Sequence, residues 1–271
     1  MKARSAALRA AVYAAAAITA LTIVFLVGYI VVKGAPHLEP ELFAPKYTTD
    51  NLSMLPAIIN TALMTVSALL ISGPVGVFAA VYLVEYASRS SRLARGVRLA
   101  AETLSGIPSV VYGLFGRLLF VAMWGLSLIS GAFTLAIMTL PLIMRTAQEA
   151  LLSVPDTYRE GSFGLGAGKL RTVFAITLPA AAPGILAGFI LSVGRIVGET
   201  AALIYTAGTV AEMPKNAFSS VRTLSVHMYV LSNEALYVNQ SYATALVLMV
   251  LVIFINAGSN AIAKKLTIHS L

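Results

Sequence analysis

The chain has 271 residues, 58% of them hydrophobic and only 11% charged, and carries a formal charge of +8. Soluble domains carry about 25% charged residues, so this composition excludes an ordinary soluble protein and points to the membrane. There is no cysteine, which excludes disulfides, thiolate metal sites and cysteine nucleophiles.

A bilayer core takes about 20 apolar residues per helix. The first stretch of that length without a charge is Ala10 to Val32, behind Lys2, Arg4 and Arg9. It exceeds the apolar region of a signal peptide and reads as an uncleaved first helix. The loop "KGAPHLEPELFAPKYTTDN" from Lys33 is rich in proline and polar residues and predicts a short lateral segment. The second span runs from Asn51 to Val84, and Pro74 within "SGPVG" removes a backbone donor there. In "EYASRSSRLARGVRLAAE", Arg89, Arg92, Arg95 and Arg98 recur every three residues, one basic helical face suited to anionic headgroups.

Thr103 to Met144 is interrupted only by Arg117 and holds two spans, with a turn in "WGLSLISG". Next, "RTAQEALLSVPDTYREGSFGLGAGKLRTVFAITLP" predicts two short amphipathic helices, the first capped by Asp156 and followed by a glycine turn. The fifth span, Thr172 to Ala211, contains two charges only, Arg195 and Glu199. After a stretch of mixed polarity, in which "SVHMYVLSNEALY" predicts an interfacial helix, the sixth span is Ala235 to Ala263. The expectation is an all-α integral membrane protein with six transmembrane helices. Residues 1–50 form a first helix and outer loop, 51–265 a core of five helices, and 266–271 a tail. With the N-terminus inside, thirteen of the nineteen Lys and Arg fall in inner segments and four in outer ones, which places both termini in the cytoplasm.

Several motifs fail on spacing. "GLGAGK" lacks the glycine four residues before Gly168-Lys169 and the following hydroxyl that a phosphate loop requires. His37, His227 and His269 are scattered, and no metalloprotease or serine-hydrolase signature occurs, so neither a metal centre nor a hydrolase triad is expected. Nucleic-acid binding has no support, because a juxtamembrane basic face already accounts for the arginines.

One pattern fits. Glu160, Gly161 and Ser162, then Gly166 after three residues and Ile176-x-Leu178-Pro179 after nine, match the EAA signature of binding-protein-dependent ABC importer permeases. Gly161-Ser162 stands where that family usually has two alanines. "ETLSGIPSVVYGLFG", "LAIMTLPLIMRTAQEALLSVP" and "GRIVGETAALIYTAG" further resemble the phosphate-specific importer permeases, more the PstA-type subunit than the PstC-type. Arg117 departs from the apolar residue expected there.

The resemblance implies a type I ABC importer permease (MetI-like) fold in a prokaryotic plasma membrane. It implies a coupling loop at about 149–179 and no catalysis or cofactor in this chain. ATP and Mg would be bound by a partner ATPase dimer, alongside a sister PstC-type permease and an extracytoplasmic phosphate-binding protein. Sulfate, molybdate or tungstate stay open as alternative oxyanions, and a stand-alone secondary transporter would leave the EAA loop without a purpose.

The candidate substrate-path residues are Arg195, Glu199 and Arg145. Arginine offers a planar, permanently charged fork that suits phosphate. Glu199, four residues on, is expected on the same helix face, paired with Arg195 or accepting from substrate hydroxyls. Arg145 is the resemblance's second candidate, with a snorkelling side chain as the alternative. Gly184, Gly188, Gly194 and Gly198 form two small-xxx-small pairs that permit close helix approach, with the sister permease a candidate neighbour.

Overall fold

A computed structural model describes residues 2–88, 90–233 and 237–268, with side chains of 8–258 in that range. Arg89, Lys2, Arg4, Lys264, Lys265 and His269, named above for their charge, and the end of the 266–271 tail lie outside what is described at that level. Regular structure among the described residues is helical, as a chain in hydrocarbon must satisfy its backbone internally.

Helix α1 (Lys2–Gly34) leads into two short 3-10 turns, Ala35–His37 and Pro40–Phe43. Helix α2 is Leu55–Tyr86, and its last five residues form a π-helical turn. Helix α3 (Arg92–Ser105) meets α4 (Ser109–Trp124) at 107°. Then come α5 (Leu128–Leu152), α6 (Asp156–Gly164), α7 (Lys169–Val197), α8 (Ala201–Thr206), α9 (Leu224–Asn233) and α10 (Val238–Ile268). Five helices are long and apolar enough to cross a membrane, or six if the bent α3–α4 pair is one span.

The third span expected from Thr103 is thus bent at Pro108. Pro108 has no N–H for the next helical bond and pushes Ile107 away from helical backbone. The Leu104 carbonyl accepts from the Ile107 N–H at 3.1 Å and from the Tyr112 hydroxyl, one turn into α4, at 2.6 Å, which ties the two helices across the bend. The next turn is where "WGLSLISG" predicts it, but tighter: Gly125 at φ 71° reverses the chain and Ser127 caps α5 through the Ser130 N–H.

Helices α2 and α5 pack along their length and α7 lies against both. Gly188 of α7 faces Thr146 of α5 so closely that a methyl group would overlap the threonine hydroxyl. A methyl on Gly184 would come within 2.6 Å of the Ala150 Cβ. This glycine pair therefore serves packing inside the chain, not approach to a sister subunit. Gly194 and Gly198 do not share that role: a methyl on Gly194 would find only Asn256 Oδ1 at 3.9 Å, and Gly198 ends the helix. Helix α1 stands apart, touching α10 near Gly34 and burying none of its apolar window within this chain.

The bundle has two ends. At the α6 end, Val81, Leu83, Met144, Leu151, Val154 and Val173 form a small core. At the α9 end, Leu52, Met54, Leu224 and Leu231 form another. "SVHMYVLSNEALY" does contain a helix, yet the first turn of α9 is fully buried rather than lying on an interface. Asn60 of α2 donates to the carbonyls of Glu212 and Arg222, at 3.0 and 3.3 Å, and so holds the loop before α9. The Arg222 guanidinium, in a residue only 4% exposed, stacks 4.6 Å over the Tyr47 ring, and Tyr47 meets His227 edge-on. Burial, with the Arg222 charge beside it, pushes the His227 pKa down to about 3.

Gly188→Ala is expected to cost about 1–3 kcal/mol through overpacking. Gly194→Ala, in open space on the same helix, is expected to be neutral or stabilising by up to about 1 kcal/mol. Thermal melts of the purified protein would rank the two. His227 makes a second prediction. Its folded pKa lies below its unfolded value, so the unfolded chain binds the extra proton. Stability is complete above about pH 6.5 and falls by about 1.4 kcal/mol per pH unit towards pH 3. His227→Gln should flatten that slope in melts taken between pH 5 and 7.5.

Candidate functional site

Two places in the fold carry charge that packing does not require. The first is the hairpin α6–α7. Its turn is built by hydrogen bonds from the Ala167 N–H to the Ser162 carbonyl and from the Gly166 N–H to the Phe163 carbonyl, at 3.1 and 2.9 Å. This is the Schellman arrangement, which needs a left-handed residue after the helix, and Gly166 supplies it at φ 83°. The Ser162 and Thr172 hydroxyls meet at 2.8 Å and tie the two arms together. Gly161 faces open space, so the tie between the arms falls to Ser162.

Glu160, Gly161 and Gly166 are exposed on this hairpin, with Tyr158, Phe163, Leu165 and Leu170. Leu165 is 91% exposed at the tip. Ile176 and Pro179 are exposed further along α7, and Leu178 is half-buried. The hairpin thus offers a knob of mixed apolar, acidic and basic character, with Lys169 and Arg171 exposed beside Asp156 and Glu160. Asp156 does not cap α6 by a side-chain hydrogen bond. Its carboxylate instead accepts from Arg159 Nη1 at 3.0 Å.

Arg159, which carried no role in the sequence reading beyond its positive charge, is the hub of this end. Its Nε and Nη2 donate to Glu85 Oε1 at 3.0 and 2.9 Å. Its Nη1 and Nη2 also donate to the carbonyls of Val154 and Leu151, both at 2.9 Å, closing the last turn of α5. The signal was an acid, Glu85, at the end of an apolar helix, but only the fold brings 85 and 159 together.

The second place is the junction of α7 and α8. Arg195 lies in the last turn of α7 and its side chain is exposed. Glu199 does not share its helix face: α7 ends at Val197 and Glu199 lies in the break before α8. Glu199 is 8% exposed, and its Oε1 accepts from the Ala202 N–H at 3.0 Å, capping α8. Its carbonyl accepts from the Ser225 hydroxyl at 2.6 Å. Among the described residues the ion pairs are Arg145–Glu149, Arg159–Glu85 and Arg159–Asp156, so Arg195 is not neutralised by Glu199. The Arg195 charge instead lies within electrostatic reach of Tyr112, beside the α3–α4 bend.

Arg145, at the α6 end, is 64% exposed and makes only a 4.0 Å contact to Glu149. Such a pair contributes roughly 0.3–0.5 kcal/mol. With Arg98, Glu102 and Gln148 it lines a cleft of about 250 Å³ between α3 and α5. The structure therefore does not bring Arg145 and Arg195 together. Arg117, exposed in a π-helical turn within α4, is a further charge on an apolar helix. No cluster of metal-binding side chains occurs among the described residues.

Residues 72–268 match the family described as binding-protein-dependent transport system inner membrane component. A probable ABC transporter permease protein, YqgI of Bacillus subtilis, is 32% identical over 93% of this chain and 94% of its own length. The phosphate transport system permease protein PstA of Yersinia pestis is 33% identical over 87% of this chain and 81% of its own. Among solved structures, a bacterial ABC transporter importing the acidic polysaccharide alginate aligns with TM-score 0.69 and 16% identity, covering 94% of this chain and 95% of that one. An inward-facing MetNI methionine ABC transporter aligns at TM-score 0.62 and 20% identity, covering 78% and 93%. At those identities the structures support the fold.

Gly166→Ala places a Cβ in a left-handed turn and is expected to cost about 1–2 kcal/mol at the hairpin. The outcome to look for is faster proteolysis between 163 and 170 with an unchanged bundle, read by limited digestion and mass spectrometry.

Proposed function

This chain belongs to the family of binding-protein-dependent transport system inner membrane components, and from that premise we propose that it is the membrane permease subunit that moves inorganic phosphate into the cell. One observation carries the reading. Helix α7 is continuous from Lys169, in the exposed hairpin, through a π-helical turn at Val173–Thr177 to Arg195, an exposed guanidinium beyond an uncharged stretch that starts after Arg171. A force applied to the hairpin reaches the arginine through this helix.

A charge within a bilayer is costly and marks a path, a partner or both. Arg195 offers parallel N–H donors to a tetrahedral oxyanion. Phosphate is the oxyanion favoured by the relatives named as phosphate permeases, which cover most of this chain. Glu199 holds the α7–α8 break in shape and leaves Arg195 free, while Arg145 and the cleft beside it suit the release side.

The hairpin Glu160–Pro179 is the contact for a cytoplasmic ATPase dimer, which binds ATP and Mg and supplies the energy. This chain performs no hydrolysis. It pairs with a PstC-type sister permease and receives phosphate from an extracytoplasmic binding protein. Both termini are cytoplasmic, in accordance with the distribution of Lys and Arg.

Co-expression with a sister permease and an ATPase should recover a complex through an affinity tag on this chain, and vesicles containing it should take up labelled phosphate. Failure to recover an ATPase would refute the reading. Excess sulfate should leave uptake unchanged; competition by sulfate would favour a different oxyanion. Arg195→Gln should cost about 1.5–3 kcal/mol of charge-assisted contact, roughly ten- to a hundredfold in uptake at limiting phosphate, with assembly intact.

A further inference from the structure

We infer that the hairpin drives α2 directly, through side chains on both of its arms, as well as α7 with which it is continuous. The inference rests on the reading of the hairpin as the ATPase contact. Chain connectivity alone offers two routes for motion, into α5 before the hairpin and α7 after it. The side chains build a third.

Both arms grip adjacent residues at the end of α2. From α6, Arg159 engages Glu85 with two nitrogens, at 3.0 and 2.9 Å. From the start of α7, Lys169 Nζ lies 4.9 Å above the ring of Tyr86. The side chains of Arg159 and Glu85 are only 14% and 9% exposed, so water screens this pair little. The same guanidinium holds the carbonyls of Leu151 and Val154 and the carboxylate of Asp156. One side chain therefore locks α6, α5 and α2 into a single unit.

The gripped segment, Tyr82–Tyr86, is π-helical. Such turns carry an extra residue and recur at functional sites. Helix α7 has one too, Val173–Thr177, close to the hairpin, so the end of α2 that the hairpin grips and the start of α7 each carry a turn able to change register. Helix α2 then runs the length of the bundle. At its far end Asn60 donates to the carbonyls of Glu212 and Arg222, and the Thr61 hydroxyl accepts from the Leu224 N–H at 2.9 Å. Movement of α2 reaches the α9 end without passing through α7. Arg159 is a positioning residue in this scheme; substrate never touches it.

The test uses the whole complex in vesicles with its binding protein, measuring ATP hydrolysis and phosphate uptake together. Glu85→Gln removes the charge that joins the hairpin to α2 and leaves the carbonyl bonds of Arg159 in place. Uptake per ATP hydrolysed is expected to fall about tenfold, the scale of a typical coupling between sites, with recovery of the ATPase unchanged. Arg159→Lys, which loses the fork but keeps the charge, should uncouple similarly. The double variant Glu85→Gln/Arg159→Lys should be no worse than the worse single one. A normal uptake-to-hydrolysis ratio in Glu85→Gln overturns the inference alone. So does a Glu85→Gln chain that no longer assembles, since the pair would then be structural only. A wild-type complex that holds no ATPase overturns the functional reading and the inference with it.

Discussion

In hydrocarbon a carbonyl or N–H without a partner costs several kcal/mol, and this constraint decides where the chain is allowed to stop being a helix. At three breaks near the candidate sites a side chain joins in the backbone's hydrogen bonding, while the α6–α7 turn closes through its own backbone. Tyr112 serves Leu104 at the α3–α4 bend. Glu199 caps α8, and Ser225 serves Glu199 in return. Arg159 serves Leu151 and Val154 where α5 ends. Function is concentrated at these breaks for a physical reason. An unbroken helix has no free donors or acceptors and little freedom to bend. A break satisfied by side chains has both, at a position the fold can hold.

The same constraint explains what could be read before the fold was known. Long apolar runs must be helices if they cross a bilayer, so the existence of α1, α2, α5, α7 and α10 was legible, but not every end: the fifth span, read as Thr172 to Ala211, stops at Val197 and resumes as α8 after a break. The hairpin was legible because its turn depends on local geometry: Gly166 must be left-handed, and its spacing from Glu160 follows from the length of α6. What could not be read was which helix face meets which. Arg195 and Glu199 are four apart and look like neighbours, but that rule holds only while the helix continues, and α7 ends between them. Gly184 and Gly188 suggest a close partner without saying whose; Ala150 and Thr146 of this chain fill that place. Arg159 and Glu85 are 74 residues apart, and no periodicity links them.

Arg159 and Arg195 show two opposite treatments of a guanidinium. Arg159 is shielded, with every contact directed inward to helix ends and carboxylates. Its rigidity suits a joint that must transmit force. Arg195 is exposed on an apolar helix and has no acid beside it among the described residues. Insertion scales put the penalty for a charge at the middle of a membrane helix at about 2.5–3.5 kcal/mol. Arg195 lies in the last turn of α7, where a long side chain reaches water at lower cost, and in the proposed reading the assembly places it on an aqueous path.

The role of Glu199 follows from that penalty. Had it paired with Arg195, the pair would have been cheaper to insert and useless for an anion, since a phosphate would have to compete with a carboxylate held four residues away. The break after Val197 turns Glu199 away to cap α8. There it does not occupy the arginine's donors. In the proposed reading, a guanidinium kept available at the far end of the helix that starts in the hairpin lets work done on the hairpin alter how tightly an anion is held.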